Sequence, residues 1–123
     1  AAAHIPFDRP GLAPGKQRKG RHGVEFVLVG RRREQRGRRP ALILSPRAYN
    51  AKARLAIACP ITSHAKGYPF EVALPDRGRV SGVVLADHVK NLDWNARRVE
   101  FAATAPVEVL TEVRERLRVL LGL

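Results

Sequence analysis

Short apolar runs broken by polar or turn-forming residues dominate the chain, and only its last stretch changes period. Val24 to Val29 has strand length and is ended by Gly30. Ala41 to Ser45 forms a second run, closed by Pro46, and Leu55 to Ile61 a third. The third carries Pro60, which has no N–H to give a ladder, so a sheet edge or bulge is expected there. Residues 48–54 lack an apolar repeat and read as a connection. Phe70 to Leu74 alternates like a half-buried strand. Val80 to Val89 follows the turn residues Pro75 to Gly78, and Arg98 to Ala103 is the last run. Short strands at this spacing predict a small antiparallel barrel or sandwich, not a parallel α/β sheet. Val109, Leu110, Val113, Leu117, Leu120 and Leu121 then recur at helical steps. Thr104 is the expected N-cap, with Pro106 in the first turn and Gly122 as the stop. Glu108 and Glu112 early and Arg114, Arg116 and Arg118 late complement the helix dipole. The apolar stripe is expected to join the core.

The 123 residues suit one domain with a modest core. Their order divides them into an irregular basic arm over 1–23 and a folded unit over 24–123, because the arm is rich in Pro, Gly, Ala, Arg and Lys without apolar periodicity. Charge sharpens this division. The formal net charge is +12, with 11 Lys or Arg against 3 acids in residues 1–40 and 12 against 8 in the remainder. Such a balance points to a polyanion, usually nucleic acid, although a solvated basic tail gives the same count. The single cysteine, Cys59, removes any intrachain disulfide framework, and its apolar neighbours mark it as a small buried hydrophobe. No run is long enough to span a membrane, so a soluble, cytoplasmic protein is expected. The histidines at 4, 22, 64 and 88 have no paired ligand spacing, which favours chemistry without a metal or other cofactor.

Three runs carry the candidate chemistry: Glu-Gln-Arg-Gly-Arg-Arg-Pro-Ala-Leu-Ile-Leu-Ser-Pro at 34–46, Lys-Gly-Tyr-Pro-Phe-Glu-Val at 66–72, and Leu-Ala-Asp-His-Val-Lys-Asn-Leu-Asp-Trp at 85–94. Together they closely resemble the MazF/PemK family of toxin endoribonucleases, and the resemblance runs nearly without gaps over 34–123. It implies an SH3-like antiparallel β-barrel with a C-terminal helix, and a homodimer. The implied activity is sequence-specific cleavage of single-stranded mRNA, restrained by a cognate MazE-like antitoxin, with a cyclic 2′,3′-phosphate and a 5′-hydroxyl as products. Two rivals share parts of this reading: a gyrase-poisoning toxin of the same architecture, and a non-catalytic RNA- or ribosome-binding module.

Cutting RNA without a metal needs a base for the 2′-hydroxyl, an acid for the leaving 5′-oxygen, and cations for the charge that develops on phosphorus. Arg39 precedes Pro40, which biases its backbone to an extended form, and a guanidinium aimed there suits a phosphate. It matches the family's catalytic arginine; without that match it is also readable as a solvent-facing neighbour of Arg38. Thr62 stands where the family places a catalytic hydroxyl, and Ser63 and His64 are neighbours able to share its role; by composition alone these are turn residues. Glu34 matches the family's loop carboxylate, as a base, as an orienter of Arg39 or simply as a counter-charge. Arg38, Ser63, His64, Lys66, Tyr68, Asp87, His88 and Lys90 are the implied RNA contacts. Tyr68 and the pair Tyr49-Asn50 would offer stacking and amide groups to unpaired bases, while Phe70 is expected in the core. His88 replaces the family's usual glutamine, a change that implies an altered target and pH sensitivity.

Upstream of residue 34 the resemblance fails. Members usually open with Gly-Asp, an aromatic strand and a Pro-Gly loop, and the interval from Pro14 to Arg33 shows none of these. A shifted reading frame and a divergent basic arm both account for its Arg, Gly and Pro enrichment.

Overall fold

The computed structural model describes residues 25–30, 37–76 and 78–123. The arm at 1–23 and the carboxylate Glu34 lie outside those residues. Seven strands form: β1 (Glu25–Val29), β2 (Arg39–Ile43), β3 (Ala56–Thr62), β4 (Glu71–Ala73), β5 (Val83–Leu85), β6 (Lys90–Leu92) and β7 (Glu100–Thr104). Two helices join them, α1 (Arg47–Ala53) and α2 (Val107–Leu121). All pairings are antiparallel, in the order β4-β5-β3-β2-β1-β7 with β6 also on β3. The expected mostly antiparallel β fold with a C-terminal helix is present, and among the described residues the end strands β4 and β7 do not pair, so the sheet is barrel-like only loosely and is not closed.

The central strands are buried on both sides, which explains why their sequences are continuous apolar runs. Phe26, Leu42 and Cys59 lie opposite one another across β1, β2 and β3 and face one core cluster, completed by Val84, Val109 and Val113. Val27, Ala41, Ile43 and Ala58 face the other, with Leu92, Trp94 and Val99. Helix α2 covers only the first face.

Pro60 sits within a central strand, not at an edge. On its far flank β3 pairs with β6 over 56–58 and with β5 over 61–62. A 3₁₀ turn at Ala86–His88 steps across the gap, so the partner changes at the proline that has no N–H to donate. The expected continuous strand from Val80 to Val89 is thereby divided in two, since one chain segment pairs twice with β3. The Cys59 Sγ donates to the Ala86 carbonyl at 3.7 Å inside this step.

Residues 47–53 are helical where a connection was expected. Their anchor is polar, which is why no apolar repeat revealed it. Buried Asn50 accepts from the Ser45 hydroxyl, and Ser45 Oγ accepts the Ile57 N–H at 2.8 Å. The Asn50 carbonyl accepts the Trp94 indole N–H at 3.0 Å and the Arg54 N–H at 3.0 Å. Asn50 is thus a structural residue and not a loop amide displayed to RNA.

Helix α2 begins after Pro106 with no side-chain cap, and Thr104 ends β7 instead of capping it. Gly122, at φ 72°, closes the helix by donating its N–H to the Arg118 and Val119 carbonyls. Val109 and Val113 are buried, but Leu120 and Leu121 are 42 % and 60 % exposed, so the stripe leaves the core in its final turn. No described helix is long and apolar enough to cross a membrane.

Candidate functional site

Antiparallel pairing brings the first residue of β2 beside the last residue of β3. The register sets Ala41 against Pro60, and extending it by two residues sets Arg39 against Thr62. Val29 opposes Arg39 on β1 and Val83 opposes Thr62 on β5, so the extended register would align the four residues across four strands. The two-residue period places Arg39 on the face of Ala41 and Ile43, away from α2. Arg39 is exposed and Thr62 half-buried.

Three adjacent hollows follow this row. One of about 350 Å³ is lined by Arg38, Arg39, Thr62, Ser63, His64 and Ser81, among others. A second of about 460 Å³ contains Thr62, His64, Lys66, Tyr68, Glu71 and His88. A third of about 220 Å³ has Arg39, Lys90 and Arg97 around an apolar floor that includes Val29, Ala58 and Leu92. Thr62 and His64 line both the first and the second, while Arg39 lines both the first and the third. The hollows thus form a series that shares lining residues, their charged side chains among the described residues are mostly cationic, and the middle one of this track holds the arginine and the threonine.

Local geometry fixes these groups. Thr62 Oγ1 accepts the His64 N–H at 3.1 Å, leaving the hydroxyl proton to donate to a ligand. Gly82 makes the approach possible: at φ 110° its backbone lies so close that a side-chain carbon there would land on the Thr62 carbonyl oxygen. Arg38 reaches Glu100 on β7, with Nη1 2.8 Å from Oε1, which ties the β2 start to the far strand. The Lys66–Tyr68 loop is shaped by Glu71. Its Oε1 accepts the N–H groups of Lys66 and Gly67 at 3.1 and 2.9 Å, and Oε2 the Lys66 N–H at 3.1 Å. Tyr68 above it is 62 % exposed, whereas Phe70 packs against the core.

Of the residues singled out in sequence, Arg38, Arg39, Thr62, Ser63, His64, Lys66, Tyr68, His88 and Lys90 line this track. Asp87 does not line any of the three hollows; its Oδ1 lies 3.9 Å from His88 Nε2 at the rim. Glu71, Ser81, Gly82 and Arg97 were not singled out. Glu71 sits in a conspicuous run, but the two backbone donors it serves exist only once the loop has turned. Arg97 lies in a turn whose carbonyl accepts the Gly30 N–H at 2.9 Å, a long-range contact without a local signal. Among the described residues, no three His, Cys, Asp or Glu side chains come together as a metal site. Cys59 is buried, and burial together with the Asp87 charge pushes its thiol up to about 12, so it offers no nucleophilic thiolate.

Comparison with known proteins identifies the family of the chain. The profile of the PemK-like, MazF-like toxins of type II toxin–antitoxin systems matches residues 24–121, so the match begins at Val24 and includes β1, upstream of residue 34 where the resemblance was expected to fail. The endoribonuclease toxin MazF of Escherichia coli (strain K12) is 44 % identical over 89 residues, covering 72 % of this chain and 79 % of that protein. Endoribonuclease PemK of Escherichia coli is 37 % identical over 92 residues, covering 72 % and 69 %. Among solved structures, MazE-MazF (Form-II) from Deinococcus radiodurans superposes with a TM-score of 0.77 at 56 % identity, covering 81 % of this chain and 93 % of that one.

Proposed function

The chain belongs to the PemK-like, MazF-like toxins of type II toxin–antitoxin systems, and on that premise we propose that it is an endoribonuclease that cuts single-stranded mRNA at a specific sequence and is held in check by a cognate antitoxin. The observation that carries the reading is that Arg39, at the start of β2, and Thr62, at the end of the neighbouring β3, line one cleft.

In this reading the scissile phosphate sits over that pair. The Arg39 guanidinium meets the negative charge that grows on the non-bridging oxygens as the 2′-oxygen attacks, an interaction stronger in the transition state than in the ground state. The Thr62 hydroxyl donates to the same phosphate and fixes its orientation. Neighbouring phosphates run along Lys66, Lys90 and Arg97, and Tyr68 offers an exposed ring on which an unpaired base stacks. Glu34 remains a candidate base or orienter from the family match. The reaction is proposed to need no metal, the cationic side chains supplying the charge. The antitoxin is expected to be an acidic, partly disordered peptide that orders along the basic track of a homodimer.

The experiment is to incubate purified protein with a defined RNA in chelator and map both new ends. Cleavage at one sequence, leaving a cyclic 2′,3′-phosphate and a 5′-hydroxyl, is expected. A strict need for added magnesium or manganese, or binding without cleavage, overturns the reading.

A further inference from the structure

Arg39 and Thr62 leave both proton transfers unfilled; Glu34 is a candidate for the base, and the acid has none. The departing 5′-oxygen is a strongly basic alkoxide and needs a proton, yet a guanidinium does not give one up near neutrality and an alcohol is a very weak acid. Among the described residues, the middle hollow is lined by Gly37, two arginines, Pro40, Ile61, Thr62, two serines and His64. Imidazole is the one side-chain type in that set that both holds and releases a proton near neutral pH.

His64 is also positioned for the task. It lines the hollow that holds Arg39 and, with Thr62, the hollow beyond it, so it stands where the two join. Its own N–H is bonded to Thr62 Oγ1 at 3.1 Å, which couples its backbone to the hydroxyl that orients the phosphate. The other groups capable of proton transfer around it are accounted for differently. Glu71 spends both oxygens on the N–H groups of Lys66 and Gly67. Tyr68 and His88 line only the far hollow, and His88 faces Asp87 at 3.9 Å. Among the described residues, the titratable and charged groups that line the two hollows with His64 are Arg38 and Arg39 from the β2 side, Lys66, Tyr68 and Glu71 from the loop and β4, and His88 from the 3₁₀ turn.

We propose that His64 is a catalytic residue, the general acid that protonates the leaving 5′-oxygen. The inference rests on the endoribonuclease reading above. In the step, the 2′-hydroxyl gives its proton to solvent or to a carboxylate base, and the 2′-oxygen bonds phosphorus. The P–O5′ bond breaks with its electron pair on oxygen, and the imidazolium proton passes to that oxygen. Neutral His64 regains a proton from water before the next turnover.

The test compares wild type, His64→Gln and His88→Gln on two substrates: an ordinary RNA, and the same RNA with a sulfur-bridged 5′ leaving group, which departs without needing a proton. Because His64 is exposed, its replacement is not expected to disturb folding. On ordinary RNA, His64→Gln should lower the single-turnover rate by roughly 10²- to 10⁴-fold and abolish the alkaline fall in the pH–rate profile. On the activated substrate it should come within about tenfold of wild type. His88→Gln should retain the alkaline fall and change KM more than kcat. Retention of rate and alkaline limb by His64→Gln overturns the proposal, as does an equal loss on both substrates, which would mark a binding or base role. Absence of wild-type cleavage on either substrate defeats the endoribonuclease reading instead, so the two failures are separable.

Discussion

Arg39 and Thr62 illustrate how much two side chains depend on what each can supply. The track holds other cations able to bind phosphates, so Arg39 is expected to matter chiefly in the transition state. Removing one such donor typically costs roughly 2.7 to 4 kcal/mol of barrier. Arg39→Ala should therefore lose about a hundredfold to a thousandfold in single-turnover rate while RNA affinity stays within about tenfold, a margin of ~1.4 kcal/mol. A filter-binding titration beside the rate measurement separates the two, and near-normal cleavage by the variant refutes the role. Cys59 makes a prediction of the opposite kind. Its folded value is raised to about 12 from 9.0, so the protonated thiol favours the native state. That contribution is whole below about pH 9 and fades as pH rises towards 12. Native protein at pH 8 should accordingly resist a thiol-alkylating reagent that labels the unfolded chain readily. Rapid labelling without unfolding would show that the site is open.

At the scale of elements, α2 divides into a packed half and a projecting end. Val113 is fully buried against the sheet, whereas Leu121 is 60 % exposed. Val113→Ala should lower unfolding free energy by about 2 kcal/mol through lost burial and a small cavity. Leu121→Ala should shift it by no more than about 0.5 kcal/mol. Denaturant titration of both variants at low protein concentration checks the contrast, and equal losses would mean that the last turn is covered. The β3 strand carries a different lesson. It holds β2 on one flank and, on the other, two short strands separated by a 3₁₀ turn. That arrangement tolerates Pro60 and delivers Thr62 to the end of a central strand, where the neighbouring strands hold its backbone.

On the scale of the whole molecule, positive charge is abundant, and among the described residues it is also organised. Arg39, Lys66, Lys90 and Arg97 line successive hollows on one track, while Arg38 is partly neutralised by Glu100. Four phosphate contacts on a single strand release counterions with a slope of about 0.7 each, so raising salt from 50 to 200 mM should weaken RNA binding roughly 30- to 100-fold. A change below about threefold would mean that the track is not the RNA path. An acidic antitoxin competing for the same surface should suppress cleavage stoichiometrically, and full cleavage by the complex would separate the two surfaces.

The fold class, most strand positions and the packed half of the last helix were legible in the sequence, because apolar period is a local signal and tertiary packing followed it here. Arg39 and Thr62 were each named by the resemblance of the runs around them to the MazF/PemK family, and the fold lines one hollow with both. What was not legible depends on contacts between distant residues. Helix α1 rests on Asn50, Ser45 and Trp94, a polar anchor with no apolar stripe. The apparent long strand after Val80 is split because it pairs twice with β3, and among the described residues β4 and β7 do not pair, so the sheet is not closed. The roles of Glu71, Gly82 and Arg97 arise only when loops bring backbone donors, a carbonyl or a cleft beside them. Sequence determined which segments must be buried and which residue types could handle a phosphate. Tertiary structure decided which of those residues share a cleft, because burial is written along the chain and proximity is not.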